Sequence, residues 1–320
     1  MKVRVGMGIS TLPFASGRAF LDWVDLCESS ELDSVWQTDR LVSPQPFLEA
    51  VSTMAALAGA TTRLKFGMNA VVASLRDPLV LAKQCATIDW LSNGRLLPVF
   101  GVGSDNAPEF RATGRDPKER GRRSDEVLEL CRRLWSEERV TFRGEFFQYE
   151  DASISPRPIQ QPLPLWIGGS SPAAIRRTVR LGTGWLAGIQ TPAQVKPVVA
   201  AIKAAGRESG RSIPEDHFGA SFVYRLGPAD ETLASRAFAA RARAGGADFD
   251  PRKYFAVGEA KDVLARIAEY RDAGISKFVL IPLAQGDSDL LEQTRRLCAE
   301  VLPVAHTYSV DLSKPELARC

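Results

Sequence analysis

Eight short apolar runs alternate with amphipathic helical stretches along most of the 320-residue chain. The apolar runs are Val3–Ile9, Ser34–Gln37, Leu64–Ala73, Leu96–Val102, Leu165–Ile167, Trp185–Ala187, His217–Leu226 and Lys277–Pro282. The helical stretches are Gly17–Ser30, Pro46–Gly59, Pro78–Leu91, Arg120–Ser136, Pro172–Leu181, Pro192–Ser209, Glu259–Ala273 and Leu290–Val301. Eight strand–helix pairs in strict alternation predict a closed, parallel (β/α)₈ TIM barrel, because right-handed crossovers place each helix outside the sheet.

An open, doubly wound sheet is the alternative to the barrel. Such a sheet has a glycine-rich turn that opens a helix after its first strand, whereas Gly6 and Gly8 lie within the first apolar run. The alternation is interrupted once, after the fourth helix, where the composition of Val140–Gln161 predicts an inserted hairpin and a proline-rich loop. We therefore predict a single barrel domain over residues 1–305 and a polar tail over residues 306–320.

The charge and the cysteine content argue against several classes of protein. The formal net charge is only +3, and basic residues are interspersed with acidic ones, which does not indicate a nucleic-acid surface. No apolar run is long enough for a membrane span and no leader-like segment is recognisable, so we expect a cytoplasmic protein. The five cysteines have no metal-ligand spacing, and no metal site is predicted.

In a barrel, function is expected at the carboxyl ends of the strands, because the loops that follow them carry the binding and catalytic residues. The fifth apolar run ends at Gly168, Gly169 and Ser170, directly before Pro172 opens a helix. Glycines let the backbone approach a ligand closely, and a helix N terminus favours phosphate. These three residues are candidates for a phosphate site, although the same turn is also consistent with a plain helix cap.

Two neighbouring strand ends offer further candidates for ligand binding. Gly101, Gly103 and Ser104 follow the fourth run, where missing side chains leave room beneath a planar ring. This spacing is not a dinucleotide fingerprint, because no helix opens within it. Asn69 lies near the end of the third run, where its amide suits either the polar edge of a ring or a structural turn.

Two adjacent charged residues, Asp39 and Arg40, follow the second apolar run. At this end of a barrel strand both side chains are expected to point into the mouth of the barrel. They are suited to binding a substrate or to pairing with neighbouring groups, and the sequence favours neither.

Taken together, these segments resemble the bacterial luciferase-like superfamily of flavin- and deazaflavin-dependent oxidoreductases. The resemblance is most specific over Pro78–Gly103, which includes the LSNGRL segment Leu91–Leu96. It continues through Glu109 and through Trp166–Ser170 and Phe278–Pro282, to about residue 305.

The resemblance implies where a flavin-type cofactor binds and that the protein is a homodimer. It places the phosphate at Gly168, Gly169 and Ser170. It places the ring against the third and fourth strand ends, near Asn69, Ala70, Val71 and Gly101. The family often has a non-prolyl cis peptide bond in its third strand, which we expect at Ala70–Val71.

One departure from the family bears on the chemistry. Deazaflavin-dependent relatives commonly have a histidine at the position of Arg40. The chain has only two histidines, His217 near the start of the seventh run and His306 beyond the last helix. A mechanism that uses histidine as the acid or base is therefore not expected.

We predict an FMN-dependent monooxygenase that uses externally reduced flavin, O₂ and a small organic substrate, with a separate flavin reductase as a possible partner. Arg40 would hold an anionic group and Asp39 would orient Arg40. The alternative is a deazaflavin (coenzyme F-420)-dependent hydride-transfer enzyme with Asp39 or Glu109 as proton carrier. A non-catalytic flavin-binding barrel is a second alternative, whereas a metal-dependent hydrolase would need ligands clustered at the strand ends.

Overall fold

The computed structural model describes residues 2–228, 250 and 253–309. Its strands are β1 (Arg4–Ile9), β2 (Ser34–Gln37), β3 (Lys65–Met68), β4 (Val71–Val72), β5 (Leu96–Leu97), β6 (Val99–Gly101), β7 (Val140–Arg143), β8 (Gln148–Ala152), β9 (Trp166–Gly168), β10 (Gly184–Ala187), β11 (Phe218–Leu226), β12 (Phe255–Gly258) and β13 (Lys277–Pro282). Its α-helices are α1 (Gly17–Glu28), α2 (Ala50–Ala60), α3 (Pro78–Leu91), α4 (Pro108–Ala112), α5 (Arg120–Ser136), α6 (Pro172–Leu181), α7 (Pro192–Glu208), α8 (Ala260–Asp272), α9 (Gly286–Arg296) and α10 (Leu302–Ala305).

The parallel strands close into a ring of eight positions. The third position is split into β3 and β4, and the fourth into β5 and β6. Strand β3 pairs with β5, β4 pairs with β6, and β6 continues to β9. The ring closes where β13 pairs with β1, so the predicted (β/α)₈ barrel is confirmed.

The two splits have different local causes. In the third strand, the break coincides with a cis peptide bond between Asn69 and Ala70. The expectation of a cis bond at Ala70–Val71 is therefore wrong by one position, because the sequence pattern does not indicate which peptide bond of the run is cis. In the fourth strand, Pro98 separates β5 from β6, since proline has no N–H for the ladder.

Two tryptophan rings fill the middle of the barrel against strands that carry glycine at the facing positions. Trp36 and Trp166 are buried there with Val99, Leu186 and Val279. A Cβ on Gly67 would lie 2.4 Å from Cζ3 of Trp36, and a Cβ on Gly184 would lie 2.3 Å from Cε2 of Trp166. The indoles therefore occupy space that only a residue without a side chain leaves open.

We expect Gly184→Ala to destabilise the fold by about 1–3 kcal/mol, because the added methyl group forces the buried Trp166 ring from its position. The free energy of unfolding in urea measures the effect. Gly188→Ala is the matched control, since a Cβ at Gly188 would meet no described atom within 4 Å. Equal stability of the two variants would show that the tryptophan packing is looser than the distances indicate.

A buried ion pair lies at the opposite end of the barrel from the mouth. The ammonium group of Lys277 hydrogen-bonds Oδ2 of Asp33 and lies 5.7 Å from the centre of the Trp36 ring. Burial by itself raises the pKa of Asp33, but attraction to Lys277 and the hydrogen bond outweigh it and hold the pKa at about 2. Asp33 is therefore ionised at neutral pH and compensates the buried lysine.

The excursion after the fourth main helix is the hairpin β7–β8, as predicted. The carboxylate of Glu126 accepts hydrogen bonds from the backbone N–H groups of Glu145, Phe146 and Phe147, which fixes the hairpin turn to α5. The guanidinium of Arg123 lies 4.3 Å from the centre of the Phe146 ring. These contacts attach the hairpin to α5 on the outside of the barrel.

Several boundaries differ from the sequence-based expectations. Helix α2 begins at Ala50, not at Pro46, because the carboxylate of Glu49 caps it by accepting the Ser52 N–H at 2.7 Å. Helix α9 begins before the predicted Leu290, at Gly286. The elements α4 and β12 fall outside the eight strands and eight helices that the sequence predicts.

Some predicted segments are only partly described. Most of the polar stretch Gly227–Tyr254 and tail residues 310–320 lie outside the described residues. Near the described carboxyl end, the Tyr308 carbonyl accepts a hydrogen bond from the Val3 N–H at 3.1 Å. Within the described ranges, no helix has both the length and the apolar content needed to cross a membrane.

Candidate active site

The ends of the third, fourth and fifth barrel strands carry three neighbouring residues without long side chains. We call these residues, Ala70, Gly101 and Gly168, the glycine floor. A Cβ on Gly101 or on Gly168 would lie 3.7 Å from the Cβ of Ala70. Apart from its chain neighbours, no other described atom lies within 4 Å of that position on Gly101. The floor therefore leaves room for a planar group.

The residues on either side of Ala70 have different surroundings. The backbone N–H of Asn69 donates to the Gln37 carbonyl at 2.8 Å, which continues the sheet to the edge of the mouth. The side chain of Val71 is fully buried in the hydrophobic core. The structure thus places both residues at the predicted site, but it leaves Val71 only its backbone to offer to a ligand.

Gly103 and Ser104 lie farther out, at the exposed rim. Gly103 has a φ of +72°, a conformation that favours glycine, and a Cβ there would lie 3.2 Å from Cγ1 of Val72. The Ser104 carbonyl accepts the Ala107 N–H at 3.1 Å in the turn that leads to α4. These two residues border the glycine floor and do not belong to it.

The Gly168–Ser170 turn leads from β9 to the N terminus of α6. Gly169 has a φ of +103°, and its carbonyl accepts a hydrogen bond from Nε1 of Trp185 at 2.8 Å. The hydroxyl of Ser171 caps α6 by accepting the Ala174 N–H at 3.2 Å. Because Ser171 performs the capping, Ser170 is available for another role.

Asp39 is buried beside the break in the third strand. Its carboxylate accepts the Val72 N–H at 3.1 Å and a hydrogen bond from Nη2 of Arg76 at 2.8 Å. Burial raises the pKa of Asp39, and the attraction of Arg76 and the Val72 hydrogen bond partly oppose this effect. Asp39 therefore binds Arg76, which corrects the expectation that Asp39 orients Arg40.

Arg40 pairs instead with Glu109 at the start of α4. Nη1 of Arg40 lies 3.5 Å from Oε1 of Glu109. The Arg40 side chain is 48% exposed, whereas that of Glu109 is 5% exposed. The second carboxylate oxygen of Glu109, Oε2, is buried and has no hydrogen-bond partner among the described residues. A buried carboxylate oxygen without a donor is costly, so this position favours a ligand that supplies one.

Three further residues lie in this region that the sequence did not single out. Gln37, at the end of β2, has a buried Oε1 that lacks a partner among the described residues. Arg76 bridges Asp39 and Glu49. Gln190, after β10, contacts the hydroxyl of Ser170. A polar residue closing an apolar run was a usable signal for Gln37, whereas Arg76 and Gln190 lie in loops with no recognisable pattern.

A small pocket opens on the other side of the mouth, between the ends of β1 and β13. Its volume is about 30 Å³, enough for a small group or for ordered water. Ile281, Pro282 and Leu290 make part of its lining apolar, and Ser10 and Thr11 add hydroxyl groups. In the closed ring this pocket faces the glycine floor across the mouth.

The histidines lie away from the mouth, as the sequence indicates. Nδ1 of His217 lies 2.6 Å from the Thr183 carbonyl, at the amino-terminal end of β11. His306 follows α10. Over the described ranges, no three His, Cys, Asp or Glu side chains are grouped to hold a metal ion.

Comparison with known proteins identifies one family and several relatives. The profile of the family described as luciferase-like monooxygenase matches residues 2–277. The F420-dependent glucose-6-phosphate dehydrogenase of Kineococcus radiotolerans is 32% identical over 195 residues, which cover 58% of this chain and 56% of that protein. The FMNH₂-dependent dimethylsulfone monooxygenase of Pseudomonas fluorescens is 34% identical over 168 residues, which cover 52% of this chain and 45% of that protein.

The overall structure is also similar to solved structures. The crystal structure of the monooxygenase RslO1 from Streptomyces bottropensis matches with a TM-score of 0.81 and 25% identity. That match covers 94% of this chain and 99% of the other. By contrast, the chain spans about half the length of the curated relatives that it matches.

Proposed function

Because the chain belongs to the luciferase-like monooxygenase family, we propose that it is an FMN-dependent monooxygenase. It would use externally reduced flavin and O₂ to oxidise a small organic substrate. The glycine floor beside the Gly168–Ser170 turn carries this proposal, because small residues next to a helix N terminus leave room for a planar ring and its phosphate.

The residues present fit such a cofactor. The ring would lie on the glycine floor, bordered by Asn69, the Val71 backbone, Gly103 and Ser104, and the phosphate would lie at Gly168, Gly169 and Ser170. Oε1 of Gln37 and Oε2 of Glu109 are buried acceptor atoms that lack partners among the described residues, so a bound donor that reached either of them would offset the cost of its burial. Both features support binding of a planar molecule with a polar edge.

When bound, reduced FMN would supply electrons and react with O₂. Arg40 would place its positive charge near an anionic group of the substrate, because its side chain is half exposed and lies 3.5 Å from Glu109. Glu109 would hold or accept a proton through its unpaired Oε2. The loops around the mouth would exclude water from the ring.

Asp39 would act as a positioning residue. Its carboxylate fixes the Val72 N–H, directly beyond the residues that border the ring, and it holds Arg76 in place. Its side chain is only 2% exposed, which leaves little surface for a substrate. Asp39 would therefore act by holding the backbone of β4 in place, and not by contacting the reacting groups.

A deazaflavin-dependent hydride transfer is the second candidate function. It is favoured by the relatives named as F420-dependent glucose-6-phosphate dehydrogenases, which are 32–34% identical over a little more than half of this chain. The buried Glu109, with one free oxygen, would then serve as the proton carrier in place of histidine.

A ligand titration separates the two candidates. Purified protein is titrated with FMN, with anaerobically reduced FMN and with coenzyme F420, and binding is followed by fluorescence and by the shift of the thermal midpoint. Tighter binding of reduced FMN, with O₂ uptake on mixing with air, would support the monooxygenase. Preference for coenzyme F420 would favour hydride transfer, and failure to bind any of the three would contradict both candidates.

A separate flavin reductase is the partner that the monooxygenase proposal requires. The relative from Pseudomonas fluorescens is named for its dependence on FMNH₂. We accordingly propose that reduced flavin reaches this protein from another enzyme.

We also propose a homodimer in which the outer faces of α2 and α3 lie against a second copy. Helix α2 contains no charged residue, and on α3 the exposed fractions are 54% for Trp90 and 57% for Leu91. A helix such as α2, which has apolar residues on its outer as well as its inner face, usually packs against protein on both faces.

Leu91→Glu is therefore expected to convert the dimer to a monomer, because a carboxylate in an apolar interface has no partner. Light scattering of the eluting protein measures the mass. Leu21→Glu, on the exposed side of α1, is the matched control and should leave the dimer intact. A wild-type protein with the mass of one chain would contradict the homodimer.

A further inference from the structure

Ser170, the last residue of the proposed phosphate turn, contacts the loop after β10. Its hydroxyl hydrogen-bonds the side-chain amide of Gln190. The Gln190 carbonyl accepts a hydrogen bond from the Tyr270 hydroxyl at 2.5 Å. Tyr270 is buried and stacks on Phe222, with ring centres 5.5 Å apart. A buried aromatic pair on α8 and β11 therefore fixes the backbone from which Gln190 reaches the turn.

We propose that Gln190 is a phosphate-positioning residue whose amide controls where Ser170 directs its hydroxyl proton. The proposal rests on the proposed flavin function and names the part of the cofactor that Gln190 serves, a phosphate monoester. Gln190 acts on the phosphate through Ser170.

The donors and acceptors of Ser170 and Gln190 determine where the hydroxyl proton points. A hydroxyl has one proton, and a phosphate oxygen accepts hydrogen bonds and donates none when ionised. With Oε1 of Gln190 facing Ser170, as in the structure, the hydroxyl proton is directed at the amide. A half-turn of the amide presents Nε2 instead. Ser170 Oγ then accepts from Nε2, and its proton is released toward a phosphate oxygen.

The position of Gln190 in the chain supports this role. It directly precedes Thr191, which caps α7 and shares a capping box with Gln194. The backbone at Gln190 is thus restrained by the Tyr270 hydrogen bond and by the helix cap, and a half-turn of the terminal amide needs no movement of this backbone. Such an arrangement keeps the amide within reach of Ser170 in both orientations.

Two substitutions of Gln190 separate the effect of its hydrogen bond to Ser170 from the effect of its side-chain volume. The ionised glutamate of Gln190→Glu can only accept hydrogen bonds, so the Ser170 hydroxyl would continue to donate to it and not to the phosphate. The glutamate also adds a negative charge beside the phosphate. We expect FMN to bind about 100-fold more weakly to this variant. Gln190→Leu removes the amide with little change of volume and should weaken FMN about 10-fold. Riboflavin, which lacks the phosphate, should bind both variants within about twofold of the wild type.

The experiment measures dissociation constants of FMN and riboflavin for the wild type, Gln190→Glu, Gln190→Leu and the control Gln148→Leu, an exposed position on β8 of the hairpin. Melting curves verify that each variant is folded. Ser170→Ala and its double variant with Gln190→Leu show whether the two residues act together. A coupled, less-than-additive loss for FMN alone would support the proposal, and this arm decides the question if Gln190→Glu does not fold.

Two results would overturn the inference while the proposed function stands. One is unchanged FMN affinity in both Gln190 variants, and the other is an equal loss for FMN and riboflavin, which would make Gln190 a purely structural residue. A wild-type protein that binds neither flavin would instead contradict the proposed FMN function itself, and the inference with it.

Discussion

Gly101→Ile is expected to weaken FMN binding by about 100-fold or more, which corresponds to about 2.8 kcal/mol. An isoleucine at this position fills the glycine floor, because the only described atom near its Cβ, apart from chain neighbours, is the Cβ of Ala70 at 3.7 Å. The side chain therefore projects into the space proposed for the ring. The backbone of Gly101 is outside the left-handed region, so the substitution adds no φ strain.

Fluorescence titration with FMN measures this loss, and urea unfolding verifies that the variant is folded. Gly17→Ile, at the start of α1, is the control, since a Cβ there would meet no described atom within 4 Å. Wild-type FMN affinity in Gly101→Ile would show that the ring lies elsewhere in the mouth. Weaker binding of both FMN and coenzyme F420 to Gly101→Ile would support the floor as the ring site. The choice between the two cofactors would then depend on the ligand titration.

Asp33→Ala is expected to reduce the free energy of unfolding by about 3–5 kcal/mol, because it leaves the buried ammonium group of Lys277 without its partner. The side chain of Lys277 is only 6% exposed, so water cannot replace the carboxylate. Urea unfolding at neutral pH measures the effect. Arg4→Ala removes a half-exposed partner of the same carboxylate, 3.3 Å away, and should cost less than about 1 kcal/mol.

The same pair predicts a pH dependence with a definite sign. Because the pKa of Asp33 is lowered from 3.8 to about 2, its contribution is complete above about pH 4 and is lost as the pH falls toward 2. The difference in stability between the wild type and Asp33→Asn should therefore shrink over this interval. A difference that stays constant down to pH 2 would contradict the assigned ion pair.

The barrel could be predicted because hydrophobic periodicity distinguishes strands from helices and so reveals eight strand–helix pairs. The positions where strands break could not, because no periodicity within Leu64–Ala73 separates β3 from β4, and Asn69 was consistent with a ring contact as well as with a structural turn. Helix α2 was predicted four residues too early for a related reason. Its start is fixed by the capping carboxylate of Glu49, a residue type that is as common inside helices as at their ends.

The parts of the candidate site that depend on the backbone could be predicted from the sequence. The parts that depend on ion pairs between side chains could not. Glycines at strand ends predicted that Gly101 and the Gly168–Ser170 turn would lie at the mouth of the barrel. Ion pairs across the mouth join residues far apart in sequence, so nothing in the sequence showed that Asp39 binds Arg76 or that Arg40 reaches Glu109. The adjacency of Asp39 and Arg40 suggested a pair, yet their side chains have different partners.

The hydrogen bond between the Trp185 indole and the Gly169 carbonyl gives the protein an intrinsic optical probe. This tryptophan is fully buried directly behind the turn, and buried indoles emit at wavelengths where oxidised flavins absorb. A flavin bound at the turn would thus quench Trp185 by energy transfer. A Trp185→Phe variant would identify its share of the quenching, so occupancy can be followed in real time without an attached dye.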